Sequence, residues 1–134
     1  MNFWAVGLFG SVGAILRFLI ERWTAAWWSS PFPWGTLLIN LLGCLVLGWF
    51  STWTYSRSNL PAWLRLSIGT GLIGSFTTFS TFSVETITLL QAQLLEMALL
   101  YVLLSMAGGI VFSWLGYQIY RRQSHRKIRR VRPL

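Results

Sequence analysis

Four stretches of this chain run for about the thickness of a bilayer with almost no charge, and they restrict its fold more than anything else in it. Hydrocarbon about 30 Å thick needs about 20 helical residues. The stretches are Phe3–Ile20, with Arg17 near its end; Trp34–Ser56; Leu66–Leu95, with Glu85 inside it; and Met97–Tyr120. The expected fold class is therefore all-α integral membrane, with four transmembrane helices. Composition agrees, because 54% hydrophobic and 10% charged residues in a 134-residue chain are too apolar for a soluble domain. The first stretch has no basic region before it and no cleavage site, and it outruns a signal peptide, so it stays as helix one.

Trp23, Trp27, Trp28, Trp34, Trp53 and Trp63 all fall near the ends of these stretches, where an indole buries its ring and keeps its N–H among headgroups. The connections are short: 29–33, 56–63 and a few residues around Gln91 to Glu96. Function must then reside within the bilayer. Residues 1–120 read as one four-helix transmembrane domain and 121–134 as a basic, disordered tail carrying seven of the eleven Lys and Arg residues. Such a run is drawn to anionic lipid headgroups, and nucleic acid is not expected as a partner. His125 has no ligand at useful spacing, and Cys44, the single cysteine, permits no intrachain disulfide.

Gly7, Gly10 and Gly13, then Gly43 and Gly48, then Gly108, Gly109 and Gly116 supply small faces on which helices can approach one another. The third stretch is different. As a straight helix it would be about 45 Å long, more than the hydrocarbon can cover. Gly69, Gly71 and Gly74, followed by Thr77, Thr78 and Thr81, lower helix propensity at mid-depth, so a broken third helix is expected. Backbone that leaves a helix at that depth must be buried in protein or line a wet cavity.

Past the break, helical spacing sets Phe79 and Phe82 on one side and Thr78, Thr81 and Glu85 along an adjoining stripe. Ring edges are weakly positive and would stabilise a small anion without trapping it; packing alone would also account for two rings. Asn40, midway along the second stretch, needs a polar partner, either a neighbouring helix or a permeating anion. Thr36 shares its face, and Tyr101 and Ser105 form a similar pair in the fourth stretch. Arg17 and Glu85 are charges inside predicted spans, which makes them functional suspects. Arg17 is one turn from Glu21 and local pairing explains it, whereas Glu85 has no cationic neighbour in sequence. There is no Asp, and no Ser, His and acid set can be assembled, so an enzyme is not expected.

These residues resemble a known family over nearly the whole chain, the fluoride channels called CrcB or Fluc. GSVGAILRF (10–18) resembles the pattern GGxxGAxxRY, with Ser11 and Phe18 as departures; GTLLIN (35–40) resembles GTLxxN. GSFTTFSTFSVE (74–85) resembles GGLTTFSTFSxE, with Ser75 replacing a glycine. The resemblance implies an antiparallel, dual-topology dimer with two pores. It implies a structural Na⁺, held and not transported, on the backbone carbonyls of Gly74 and Thr77 from each subunit. It further implies a fluoride path lined by Phe79 and Phe82, with Asn40 positioning the rings or the ion. Thr36, Ser80, Thr81, Glu85, Tyr101 and Ser105 would form a polar track, and fluoride would leave the cell down its own gradient through the cell membrane.

A small four-helix multidrug exporter is the alternative, but its chemistry rests on a mid-membrane glutamate in helix one, and Glu21 is expected at that helix's end. Charge leaves the second subunit open. Without the tail, Arg57 and Arg65 on one side balance Arg17 and Arg22 on the other, as a dual-topology homodimer requires. The tail tips that balance and leaves a paralogue of opposite topology as the other candidate partner, but the balanced core favours the homodimer.

Overall fold

The computed structural model describes residues 3–57 and 60–131, with side chains up to His125. Ser58 and Asn59 of the second connection and the last three residues of the tail lie outside the described residues. The described chain is helical throughout: α1 (Phe3–Trp27), α2 (Trp34–Tyr55), α3 (Ala62–Leu66), a π-helical stretch (Ser67–Ile73), α4 (Gly74–Phe76), α5 (Phe79–Gln91) and α6 (Leu95–Val131). Three of these, α1, α2 and α6, are long and apolar enough to cross a bilayer. The chain is a multi-pass membrane protein. Leu8, Ile15 and Leu19 along α1 are each more than half exposed, a surface that lipid or another apolar partner tolerates and water does not.

The remaining stretch, α3 to α5, is the broken one. Its glycines do not interrupt it; Gly69 and Gly71 lie within seven residues of π-helix. The wider turn brings backbone against α1, where a Cβ on Gly71 would sit 2.7 Å from the Val6 carbonyl and one on Gly13 would collide with the Leu72 carbonyl. Helical winding stops at Thr77, whose backbone is extended (φ −80°, ψ 156°), and resumes at Phe79. The two β-branched threonines, each with a hydroxyl able to bond nearby backbone, favour the extended conformation there. Ser75 bridges this span to α1, its hydroxyl lying 2.7 Å from both the Gly10 and the Gly71 carbonyls.

Helices α2 and α6 make the other close pair. A Cβ on Gly116 would strike the Leu45 carbonyl, and one on Gly48 the Ser113 carbonyl. Gly7, by contrast, faces open space and has no packing role within one chain. At one end of the bundle Phe32, Leu37, Leu89, Ala98 and Tyr101 form a buried cluster, on which Phe82 and Leu94 pack. The α5–α6 turn beneath it closes through Gln93 in the left-handed conformation (φ 61°), with Leu94 N–H donating to the Leu89 carbonyl at 2.9 Å.

Three boundaries differ from those read in the sequence. Helix α1 continues to Trp27, so Glu21 lies inside it and not at its end. The Glu21–Arg22 pair looked like a terminus, but two charges on adjacent residues point to different faces and do not stop a helix. Helix α6 continues past Tyr120 to Val131, so the basic segment leaves as a helical extension instead of disordered chain. Gln, Arg, Lys and Ile all support helix, and no proline intervenes before Pro133. The third span begins at Ala62 and ends at Gln91.

Candidate functional site

The break is held open by α2. Asn40 Nδ2 donates to the Thr78 carbonyl at 3.0 Å, and Asn40 Oδ1 accepts the Thr78 N–H at 2.9 Å. A side-chain amide thus pairs with one backbone residue at both ends, satisfying groups that a broken helix would leave bare. Of the two partners expected for Asn40, this is the neighbouring helix. One Nδ2 hydrogen has no partner among the described residues, and Asn40 lines a cavity. Thr78 does not continue the stripe of Thr81 and Glu85; it caps α5, its hydroxyl accepting the Thr81 N–H at 3.1 Å and donating to Thr81 Oγ1 at 2.9 Å. Ser80, exposed, has its hydroxyl 3.3 Å from that of Thr78.

Both diversions have a consequence for the carbonyls behind them. In an unbroken helix the Gly74 carbonyl would accept the Thr78 N–H and the Thr77 carbonyl the Thr81 N–H. Those donors are committed to Asn40 and to the Thr78 hydroxyl, and no other backbone amide among the described residues replaces them. The closest approach to the Gly74 carbonyl is the Thr77 hydroxyl at 3.5 Å. Uncommitted carbonyl oxygens suit a hard cation such as Na⁺, so the pair assigned to it by resemblance fits.

One turn before Asn40, Thr36 Oγ1 donates to Glu85 Oε1 at 2.8 Å, and Tyr101 OH donates to Glu85 Oε2 at 2.8 Å. Three spans therefore meet on one carboxylate. Thr36 and Asn40 on α2 reach Glu85 and Thr78 on the broken span, so the two segments run antiparallel across the site. The missing cationic neighbour of Glu85 is replaced by two hydroxyl donors, which offset part of the cost of burying a carboxylate.

The two phenylalanines, although 5.8 Å apart by ring centroids, have different surroundings. Phe82 leans on Tyr101 at 5.0 Å, while Phe79 is 79% exposed on the single chain. Both line a cavity of about 350 Å³ together with Asn40, Thr78 and Ser105. Ser105 Oγ is buried and has no hydrogen-bond partner among the described residues. Arg17 is half-buried on α1 and joins none of these groups. Its expected bond to Glu21 is not formed; Glu21 Oε1 is buried without a partner, on a part of α1 that packs on the first turn of α2, where a Cβ on Gly35 would sit 3.8 Å from the Glu21 Cα. Sequence reasoning missed Glu21 and Ser75 as site-forming residues; the substitution of Ser75 for a glycine was the available signal for the latter.

An all-helical membrane protein with one span broken and pinned by a neighbouring helix is the class these features define. Residues 4–117 match the family described as "CrcB-like protein, Camphor Resistance (CrcB)", and the chain belongs to that family. It is 48% identical over 114 residues to a protein of Bacillus cereus (strain ATCC 10987 / NRS 248) named fluoride-specific ion channel FluC 1, covering 85% of this chain and 83% of that one. A protein of the same name from Desulfitobacterium hafniense (strain Y51) is 48% identical over 107 residues, 80% of this chain and 92% of its own. Fluoride-specific ion channel FluC 2 of Geobacillus kaustophilus (strain HTA426) is 40% identical over 117 residues, 87% of this chain and 91% of its own.

Proposed function

We propose that this chain is a fluoride-specific ion channel of the cell membrane, letting fluoride leave the cell passively and so limiting its toxicity. The observation that carries the reading is the cavity against the break, lined by Asn40, by Ser105 with its unpartnered hydroxyl and by the rings of Phe79 and Phe82, with no cationic side chain in the lining. Donors without a full positive charge stabilise a small anion while allowing it to go. The likeness to three proteins named for fluoride supports the same choice of ion.

In this reading Asn40 fixes the backbone ahead of Phe79, and the rings offer their edges to fluoride. Thr36, Ser80, Thr81, Glu85, Tyr101 and Ser105 relay it along hydroxyl and carboxylate groups. The free carbonyls of Gly74 and Thr77 meet their counterparts from a second subunit and hold a Na⁺ that stabilises the assembly without moving. The second subunit is an antiparallel copy of this chain, or a paralogue of opposite topology, and Phe79, bare on one chain, faces it. The basic extension of α6 rests on anionic lipid.

The test is efflux from fluoride-loaded liposomes read with an ion-selective electrode. Rapid loss of fluoride from protein-containing vesicles, with none from empty ones, is the expected result. Proton-coupled uptake of organic cations without fluoride loss would mark an exporter instead.

A further inference from the structure

A second cavity, of about 190 Å³, lies on the other side of the Glu85 bridge, at the end of the bundle formed by the α1–α2 connection. Its polar lining is Glu21, Thr24, Ser30, Thr36 and Glu85, under Trp28 and Trp34. Thr36 and Glu85 thus face this space, while Tyr101, on the other Glu85 oxygen, packs against Phe82 of the first cavity. The hydrogen-bonded bridge separates two chambers that an ion following the polar track would visit in turn.

We propose that Glu21 sets the rate at which fluoride crosses this second chamber, its carboxylate acting as the repulsive group that an anion must pass. The inference rests on the fluoride reading above. Two carboxylates line the chamber, but they are not equivalent. Both oxygens of Glu85 accept a hydroxyl donor, which spreads its charge into the bridge. Glu21 Oε1 accepts none. The two threonine hydroxyls of the lining are engaged elsewhere, Thr24 Oγ1 lying 2.9 Å from the Ile20 carbonyl and 3.0 Å from that of Glu21 and Thr36 donating to Glu85, while the Ser30 hydroxyl accepts the Phe32 N–H and makes no bond to Glu21. Arg22, the adjacent cation, is exposed and lies over the Phe18 ring, its guanidinium carbon 5.8 Å from the centroid. One carboxylate oxygen at the chamber is therefore without a donor, and no cationic side chain lines the chamber to offset it. In a water-like medium a single charge about 6 Å away changes local anion concentration about threefold, and a low-dielectric wall increases the effect.

The experiment compares fluoride efflux from liposomes containing the unmodified full chain, Glu21→Gln, Glu21→Ala, Glu21→Asp and Glu96→Gln at low ionic strength. Glu96 is exposed in the first turn of α6, at the same end of the bundle, and does not line the chamber. Gln and Ala at position 21 are expected to raise the rate about threefold or more, Asp to leave it near that of the unmodified protein, and Glu96→Gln to leave it unchanged. The gain should shrink at about 1 M salt, where charges are screened within about 3 Å; a packing defect would not respond in that way. If Glu21→Gln fails to fold, Ala against Asp carries the same contrast. Rates for Gln and Ala equal to or below the unmodified rate overturn the proposal, as does an equal gain from Glu96→Gln. Absence of fluoride flux in the unmodified protein overturns the channel reading, and this inference with it.

Discussion

Asn40 and Thr78 are joined twice, amide to backbone, with Nδ2 donating to the carbonyl at 3.0 Å and Oδ1 accepting the N–H at 2.9 Å. This clamp lets the third span stop being helical at the depth where two long neighbouring helices continue. It also keeps the Thr78 N–H from the Gly74 carbonyl.

Replacing Asn40 with Leu removes both bonds at once and leaves two buried backbone groups unpaired, each at a cost of about 1–3 kcal/mol. Thermal unfolding in detergent should shift down accordingly. Exchange at the Thr78 amide should accelerate more than at its neighbours, and fluoride efflux should fall by an order of magnitude or more. Unchanged protection at Thr78 would show that the break holds itself.

Phe79 and Phe82 should respond differently to the same substitution. Phe82→Ile loses a ring packed on Tyr101 at 5.0 Å and is expected to cost about 1 kcal/mol of stability. Phe79→Ile changes an exposed ring and should leave the stability of one chain unaltered. Both are expected to lower fluoride efflux sharply, because each removes a ring edge from the path. Normal efflux in both variants would leave the rings as packing alone.

The Glu85 bridge predicts coupling between helices that do not adjoin in sequence. Tyr101→Phe and Thr36→Val each remove one donor from the same carboxylate, and each should destabilise the protein by about 1–3 kcal/mol. Because the two donors share one acceptor group, the double variant should depart from additivity by about 0.5 kcal/mol or more in a thermodynamic cycle. Additive losses would mean the two hydroxyls are not coupled to each other through Glu85.

Much of this site was legible in the sequence because its signals are strong ones. Asn40 inside an apolar stretch demanded a polar partner, and Thr36 one turn away identified the face that would supply the next contact. The excess length of the third stretch, with its glycines and threonines, required a break. The identity of Asn40's partner was not legible, because a backbone group leaves no mark in sequence and any broken residue would have served. The glycines and the threonines after them were read together as the weak point; Gly69 and Gly71 lie in π-helix packed on α1, and the winding stops at Thr77. Glu21 was misplaced because two adjacent charges look like the end of a span, although one face of a helix end can be wet while the rest stays in protein. The basic run at the chain's end has the composition of a solvated tail and the propensities of a helix, and only the latter decides local structure.

The free carbonyls of Gly74 and Thr77 carry a prediction about Na⁺. Vesicles prepared and assayed without Na⁺ should show reduced fluoride efflux, restored when Na⁺ is added back. Labelled Na⁺ trapped inside should not leave with fluoride. Movement of Na⁺ in step with fluoride would make the protein a symporter.

Whether fluoride passes alone is the central claim, and charge decides it. A channel moving F⁻ by itself builds a voltage that stops the flux unless another ion compensates. Fluoride-loaded vesicles containing K⁺ should therefore hold their fluoride until a K⁺ ionophore is added, then release it rapidly, with no dependence on an imposed pH gradient. Release that is complete before the ionophore, or that requires the pH gradient, would contradict passive fluoride conduction and identify coupled exchange.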